Sequence, residues 1–189
     1  MVAVRKKLYS FEEYLEYDDG TDTKYELFNG ELIPMPPASG FHALILCFLT
    51  EFLVLEIKRL NLEWKIMPGN VGVRTDRNKS RIPDLIIIDG SQCQELKTMR
   101  SAVMESPPIL AIEIVSPGNS DHDYRYKRSE YAVSGINEYW IIDPLALKVS
   151  ILTLVSGFYE VTQYEKEAEI VSPTFSEIKL TPKMIFESP

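Results

Sequence analysis

Two carboxylates and a lysine are the residues whose types and spacing in this chain could do chemistry. Asp84 stands at the start of one apolar segment, Glu113 lies in the middle of another, and Lys127 follows in a helix-like stretch. Carboxylate oxygens suit Mg²⁺ or Mn²⁺, and magnesium is usually held by one or two carboxylates together with waters and substrate phosphate. A nearby lysine would stabilise negative charge that develops on phosphorus, or orient the attacking water. The three residue types therefore indicate a divalent-metal phosphodiesterase site with Asp84 and Glu113 as metal ligands.

Each of these residues also has a purely structural interpretation. Asp84 follows Pro83, and an aspartate at a strand entrance is often a turn residue. Glu113 could pair with a buried arginine or tyrosine, and Lys127 could pair with Asp123, four residues away on the same helix face. The catalytic interpretation requires the two strands to be neighbours, because adjacent strands lie about 4.8 Å apart and would bring both carboxylates to one cation.

Hydrophobic periodicity and turn residues predict the elements that must position these side chains. A capping-box pattern and helical spacing predict helices over residues 11–17 and 40–59, a third helix from Ser120 or Asp121 to about 133, and one or two helical turns within 181–186. Strands are predicted at 25–28, 31–35, 64–67, 71–75, 85–88, 109–115, 139–142, 149–154 and 158–164. We therefore expect an α/β (α+β) fold, with a central mixed sheet flanked by helices and a β-hairpin near each end. One domain is expected over 1–189, with its core at about 10–165.

Composition and charge restrict the partners. Hydrophobic residues make up 45% of the chain and charged residues 25%, as in ordinary globular proteins. The net charge of −8 argues against a protein that coats nucleic acid, but it allows an enzyme that meets DNA at one local basic patch. Such a patch is expected in the short loop before Asp84, whose basic residues are Arg74, Arg77, Lys79 and Arg81. A solvated turn is the alternative interpretation of this loop.

The sequence predicts a cytoplasmic protein with no membrane partner. No apolar run approaches the roughly 18 residues of a membrane span, since the longest candidate, 43–55, is interrupted by Thr50 and Glu51. The basic N-terminal residues lead into no apolar region, so no signal peptide is expected. Cys47 and Cys93 are too few for a disulfide scaffold and lack metal-ligand spacing.

The arrangement resembles that of the PD-(D/E)XK nuclease superfamily. In that fold one strand supplies the aspartate of a Pro-Asp pair, and the next strand usually supplies Glu-X-Lys. Pro83-Asp84 and Glu113 match, whereas the expected lysine position holds Val115. Some branches of the superfamily carry this lysine on the following helix, where Lys127 lies. The resemblance therefore implies catalytic roles for Asp84, Glu113 and Lys127.

The chain more closely resembles the Uma-two family of restriction-endonuclease-like proteins. The shared residues span roughly 11–161 and comprise Tyr25-Glu26-Leu27, Asn29-Gly30-Glu31-Leu32, the proline-rich 34–37, His42, Pro83-Asp84-Leu85, Glu113-Ile114-Val115-Ser116-Pro117, Asp123, Lys127, Tyr131, Gly135 and Glu138-Tyr139-Trp140-Ile141-Ile142-Asp143-Pro144. The resemblance implies a restriction-endonuclease-like fold with a magnesium site. Glu26 would be an accessory acidic residue that completes the metal site, and His42 an accessory phosphate ligand or base. Many nucleases of this fold cut duplexes as dimers, so a homodimer is expected.

Three functions remain open at this point. The first is a Mg²⁺-dependent (or Mn²⁺-dependent) endonuclease-like phosphodiesterase that cleaves DNA, with the basic loop on the phosphate backbone. The second is a catalytically inactive binding module that keeps the nuclease fold, which the net charge of −8 and Val115 favour. The third is a glycosidase with Asp84 and Glu113 as acid and base, which lacks the usual sugar-stacking aromatic residues around the two motifs. The direction in which Lys127 points distinguishes the first two.

Overall fold

Two β-sheets and their flanking helices make up the part of the chain that the computed structural model describes, residues 7–117 and 121–187. The strands are β1 (Tyr25–Phe28), β2 (Glu31–Pro34), β3 (Lys65–Pro68), β4 (Gly72–Asp76), β5 (Lys79–Arg81), β6 (Leu85–Ile88), β7 (Val103–Met104), β8 (Leu110–Ile114), β9 (Glu138–Asp143), β10 (Lys148–Val155) and β11 (Phe158–Glu165). The helices are α1 (Phe11–Leu15), α2 (Gly40–Arg59), α3 (Gly90–Leu96), α4 (Arg128–Ser134) and α5 (Pro182–Glu187), with a π-helical segment, His122–Lys127, directly before α4. Ser120, one of the two predicted helix caps, lies outside the described residues.

The larger sheet has the strand order β11-β10-β9-β8-β6-β3 and carries the predicted site residues. β8 pairs parallel with β9 and antiparallel with β6, and every residue of these three strands is buried. Strand alternation divides their side chains between two cores. Leu85 and Ile112 pack with Ile45 of α2, whereas Ile86 and Ala111 pack with Tyr131 of α4. The sheet is therefore covered on both faces, as the nearly continuous apolar runs predict.

The smaller sheet has the order β2-β1-β5-β4-β7 and begins with the predicted N-terminal hairpin. Asn29 and Gly30 form its turn with φ values of 52° and 85°, the left-handed conformation that tight two-residue hairpins require. A Cβ atom on Gly30 would also lie 3.2 Å from the carbonyl oxygen of Tyr9. The Asn-Gly signal was therefore sufficient to place this hairpin.

The structure corrects one local prediction and adds elements that were not predicted. The basic segment is a β-hairpin, because Arg74 lies in β4, and Lys79 and Arg81 form the ends of β5. Helix α3 was not predicted; Asp89 is its N-cap, and the Asp89 Oδ1 accepts a hydrogen bond from the Gln92 amide at 2.9 Å. The two-residue strand β7 was not predicted, since so short a segment has no periodicity.

The expectation that no apolar run approaches membrane-spanning length is also wrong. α2 has 20 residues and contains an 18-residue window with a mean hydropathy of 1.9, so it could cross a membrane by length and composition alone. Thr50 does not interrupt the helix, because its hydroxyl donates to the Leu46 carbonyl at 2.7 Å. On the inner side of α2, Leu49 and Leu53 are covered by the protein core.

Candidate active site

The two predicted metal ligands come from neighbouring strands. β6 and β8 run antiparallel, with Leu85 opposite Ile112. Continuing this register by one residue places Asp84 opposite Glu113. Directly opposed residues of an antiparallel pair lie on the same face, with Cβ atoms about 4.5–5.5 Å apart. The strand pairing therefore brings the two carboxylates together.

Asp84 is held by the backbone of β8 and by the start of α2. Its Oδ2 accepts a hydrogen bond from the Ile114 amide at 2.7 Å, and its Oδ1 lies 3.0 Å from His42 Nε2. The amide of His42 donates to Ser39 Oγ, the N-cap of α2, at 3.2 Å. On the other side of the ring, Nδ1 lies 3.5 Å from Ser116 Oγ. His42 therefore contacts Asp84 directly and orients its carboxylate.

Glu113 is 2% exposed and makes one contact through each of its oxygens. The hydroxyl of Tyr131 donates to Oε1 at 2.6 Å, and the Lys127 ammonium lies 2.8 Å from Oε2. Burial raises the pKa of Glu113 to about 8, against the opposing effect of Lys127 and with a further rise from Asp84 and Asp123. Its charged form therefore depends on a cation.

Lys127 points toward the carboxylates. Its Nζ also lies 3.1 Å from Asp123 Oδ1, one helical turn earlier. Burial alone would lower the pKa of Lys127, but the charges of Glu113, Glu26 and Asp123 raise it above its ordinary value. Lys127 is therefore an ammonium ion in a buried carboxylate cluster. It lies in a π-helical segment, a rare conformation that is frequent at functional sites.

Glu26 braces the chain that leads into Asp84. Its Oε2 accepts from Arg81 Nη1 at 2.8 Å, and its Oε1 accepts from the Ile82 amide at 3.1 Å. Its negative charge still contributes to the raised pKa of Lys127. Glu26 is thus near the candidate site in electrostatic terms, while its carboxylate is bound by the segment before Asp84.

Arg81 lies inside the protein. Its side chain is 1% exposed and holds Glu130 through two hydrogen bonds, Nε to Oε2 at 2.7 Å and Nη2 to Oε1 at 2.8 Å. The Thr75 hydroxyl also donates to Glu130 Oε2, at 3.2 Å. A fully enclosed guanidinium cannot touch a phosphate in this conformation, which corrects the expectation for Arg81.

The other three basic residues of the predicted patch lie nearer the surface, and two are paired. Arg74 Nη1 lies 2.6 Å from a Glu105 oxygen, and Lys79 Nζ lies 3.8 Å from an Asp76 oxygen. Arg77 is exposed. The carboxylate of each pair is exposed, and ion pairs that water reaches are weak. Arg74, Arg77 and Lys79 therefore remain the members of the patch that a phosphate backbone could reach.

The carboxylates fit a hydrated divalent cation better than a cage of protein ligands. Within residues 7–117 and 121–187, no group of three or more His, Cys, Asp or Glu side chains is arranged to hold a metal ion. Each oxygen of Asp84 and Glu113 has one protein partner, and a carboxylate oxygen accepts about two. Since magnesium needs only one or two carboxylates with waters and substrate phosphate, the two residues fit Mg²⁺ or Mn²⁺.

Two further residues contact the candidate site. In the sequence, Asp123 was interpreted as a partner of Lys127, and Tyr131 was noted only among the residues shared with the Uma-two family. They stand four residues before and four residues after Lys127, so all three share one helix face. This spacing was a signal that both side chains would reach the place to which Lys127 points.

Comparisons with known proteins agree with this fold. The crystal structure of "a putative nuclease belonging to DUF820" from Anabaena variabilis ATCC 29413 superposes with a TM-score of 0.78 at 20% sequence identity, covering 94% of this chain and 97% of that chain. "Uncharacterized protein sll1609" from Synechocystis sp. (strain ATCC 27184 / PCC 6803 / Kazusa) is 27% identical over 152 residues, which is 79% of this chain and 82% of that protein.

The structural match confirms the expected mixed α/β nuclease-like fold. A family described as "Uma2: Putative restriction endonuclease" matches residues 11–183, nearly the whole chain. The resemblance noted in the sequence is therefore confirmed, and the chain belongs to the Uma2 family.

Proposed function

We propose that the protein is an endonuclease-like phosphodiesterase that cleaves DNA with Mg²⁺ or Mn²⁺. The observation that carries this proposal is the 2.8 Å contact between Lys127 Nζ and Glu113 Oε2. The usual lysine position holds Val115, which carries no charge. Lys127, from the helical segment after β8, supplies the cation instead. An inactive binding module would have no need of a buried lysine at this position, and membership of the Uma2 family supports the same choice.

Each side chain of the candidate site has a role in this proposal. Asp84 and Glu113 hold the metal ion, which, when bound, polarises the phosphodiester and lowers the pKa of water. Lys127 stabilises the charge that develops on phosphorus or orients the attacking water. Tyr131 fixes Glu113, and His42 fixes Asp84.

The remaining predicted residues act farther from the scissile phosphodiester. Arg74, Arg77 and Lys79 would meet the phosphate backbone, since these cations lie on one hairpin near the surface. Glu26 keeps an accessory role by fixing the Arg81-Ile82 segment before Asp84.

Calorimetric titration with Mn²⁺, combined with plasmid nicking, tests the proposal. We expect wild-type protein to bind Mn²⁺ and nick supercoiled plasmid, and Asp84→Asn to lose both. Lys127→Ala should reduce nicking by about 10²–10³-fold, the usual effect of removing one group that stabilises transition-state charge. Lys97→Ala, which removes an exposed lysine of the described chain, is the matched control and should nick like wild type.

Metal binding that does not depend on Asp84, or nicking that survives in Lys127→Ala, would contradict the proposal. Circular dichroism must show that each variant is folded. Asp84-dependent metal binding without cleavage of any nucleic acid would instead support the inactive binding module.

A homodimer is part of the proposal. α2 turns Phe41, Leu44 and Leu55 to the outside, and all three are exposed. Phe48 and Phe52, whose ring centroids lie 5.9 Å apart, continue the apolar side between them. These positions recur at three- and four-residue steps, the spacing of a helix stripe that packs on another helix. This spacing supports packing of the outer side of α2 on the same stripe of a second copy of the chain.

We also propose that the protein works in the cytoplasm. Cys47 is exposed, Cys93 is partly buried, and both are free thiols. Free cysteines are usual in a reducing compartment, whereas secreted proteins tend to pair them.

A further inference from the structure

An aromatic cluster lies at the surface beside the candidate active site. It consists of Phe28, the last residue of β1, and His122 and Tyr126 of the π-helical segment. The Tyr126 ring centroid is 6.0 Å from that of Phe28 and 5.4 Å from that of His122. Tyr126 is 50% exposed and belongs to neither hydrophobic core. Packing in the hydrophobic cores therefore does not account for the position of Tyr126.

The position of the cluster is fixed by the same segment that carries the catalytic candidates. Asp123 and Lys127 stand four residues apart and face inward, where both are largely buried. His122 and Tyr126 have the same spacing shifted by one residue, and they face outward. The aromatic stripe thus runs alongside the stripe that reaches Glu113. On the other side, Phe28 lies two residues beyond Glu26 in β1.

Cations border the aromatic cluster. The Phe28 ring packs on the enclosed Arg81 guanidinium, 4.7 Å from its centroid, and Lys79 Nζ, which lies nearer the surface, is 5.7 Å from the same centroid. Arg125, next to Tyr126 in the chain, is 76% exposed, and its contact with Asp121 at 4.0 Å is an exposed ion pair. Such a pair is weak and leaves Arg125 able to meet a phosphate. Lys79 and Arg125 are therefore the two cations beside the rings that a phosphate could reach.

An exposed aromatic side chain bordered by cations has the chemistry that binds an unpaired nucleotide. The base stacks on the ring, and the flanking phosphates meet the cations. A base within a duplex has both faces covered by its neighbours, so only an unpaired or extruded base can use such a platform. Three rings offer too little apolar area for a stable interface with a protein partner.

We propose that the aromatic cluster stacks an unpaired base of the substrate strand next to the phosphodiester that is cut. This inference rests on the proposed nuclease function and specifies its substrate class, a single strand or an unpaired region of a duplex. Tyr126 is a specificity-determining residue in this assignment. It selects the strand that enters, whereas Lys127, the next residue, acts on the phosphodiester.

Fluorescence anisotropy with labelled oligothymidylate, in EDTA so that nothing is cut, tests the inference. Tyr126→Ala should weaken binding by about 5- to 150-fold, the range found when an aromatic partner of one base is removed. Tyr126→Phe keeps the ring and should bind like wild type. Phe158→Ala, which removes an exposed ring at the start of β11, is the matched control and should change nothing. A duplex of the same length should bind more weakly than the single strand and should be insensitive to Tyr126→Ala.

Equal oligothymidylate binding by Tyr126→Ala and wild type would overturn the inference, as would tighter binding of the duplex. Oligouridylate is a second arm of the experiment. If it binds more tightly than oligothymidylate and with the same dependence on Tyr126, the stacked base is supported and its strand is RNA.

The failure of this inference is distinguishable from failure of the proposed function. If nicking requires Asp84 and Lys127 but Tyr126→Ala cuts single and double strands in the wild-type ratio, only the stacking inference fails. If oligonucleotides bind through Tyr126 while no metal binds at Asp84, the cluster is supported and the nuclease proposal fails.

Discussion

Two carboxylates contact one lysine at the centre of the candidate site, and a third lies nearby. Lys127 contacts Glu113 and Asp123 directly, and Asp84 lies across the strand pair from Glu113. Like charges this close are unfavourable unless something positive lies between them. A divalent cation would favour the charged form of Glu113 and relieve this repulsion, which supports the proposal that such a cation completes the site.

The stability of the metal-free protein should fall with rising pH because of Glu113. Burial raises the pKa of this carboxyl from 4.5 to about 8, so between these values the folded state holds a proton that the unfolded chain releases. The stabilising effect is therefore fully present below pH 4.5 and is lost as pH rises through about 8. One such group changes the unfolding free energy by at most about 1.4 kcal/mol per pH unit.

Urea unfolding in EDTA between about pH 5 and pH 8 measures this dependence. Glu113→Gln should flatten the profile, since the amide does not titrate. Glu160→Gln, which changes an exposed glutamate of β11, should keep the wild-type slope. A wild-type profile that is flat, or one that Glu113→Gln leaves unchanged, would show that Glu113 keeps an ordinary pKa in the fold.

At the scale of elements, Arg81 joins two neighbouring strands of the smaller sheet, β5 and β1, to helix α4. It lies in β5, and its guanidinium binds Glu26 of β1 and Glu130 of α4. Arg81→Ala should destabilise the protein by about 3–5 kcal/mol, because both carboxylates would stay buried without their partner. Arg77→Ala removes an exposed arginine of the same hairpin and should change stability by no more than about 0.5 kcal/mol.

Urea unfolding at neutral pH gives both numbers. A loss for Arg81→Ala as small as that for Arg77→Ala would mean that the guanidinium is solvated, and would return Arg81 to the DNA-binding patch. A large loss would support its role as a structural clamp that also holds the Arg81-Ile82 segment before Asp84.

Elements with a strong internal pattern could be predicted from the sequence, and long-range pairings could not. α2 and β6 have the predicted bounds, because their apolar residues follow clear helical and strand patterns. The four-residue spacing on one helix face likewise linked Asp123 to Lys127. Burial of Arg81 was not predictable, since its partner Glu130 lies 49 residues away and the pairing exists only after the smaller sheet packs on α4.

At the scale of the whole molecule, the outer side of α2 is the surface on which the proposed homodimer depends. Each exposed leucine buried in a dimer would contribute about 1.5–3 kcal/mol, so replacing one with a charged residue should weaken association by more than about tenfold. The double variant Leu44→Glu with Leu55→Glu changes two such residues on the same side. It should therefore convert the dimer into a monomer.

Size-exclusion chromatography with light scattering reads this outcome directly. Wild-type protein should have twice the mass of one chain, the double variant the mass of one chain, and Val171→Glu, which changes an exposed apolar residue of the C-terminal tail, the wild-type mass. If the wild-type protein is a monomer, the outer side of α2 does not bind a second copy of the chain. If that monomer also bound lipid vesicles through Leu44 and Leu55, the apolar length of α2 would serve a membrane surface instead. Because Leu44 is exposed while His42 orients Asp84 from the same first turn of α2, dimerisation would cover the helix that supports the candidate metal ligand.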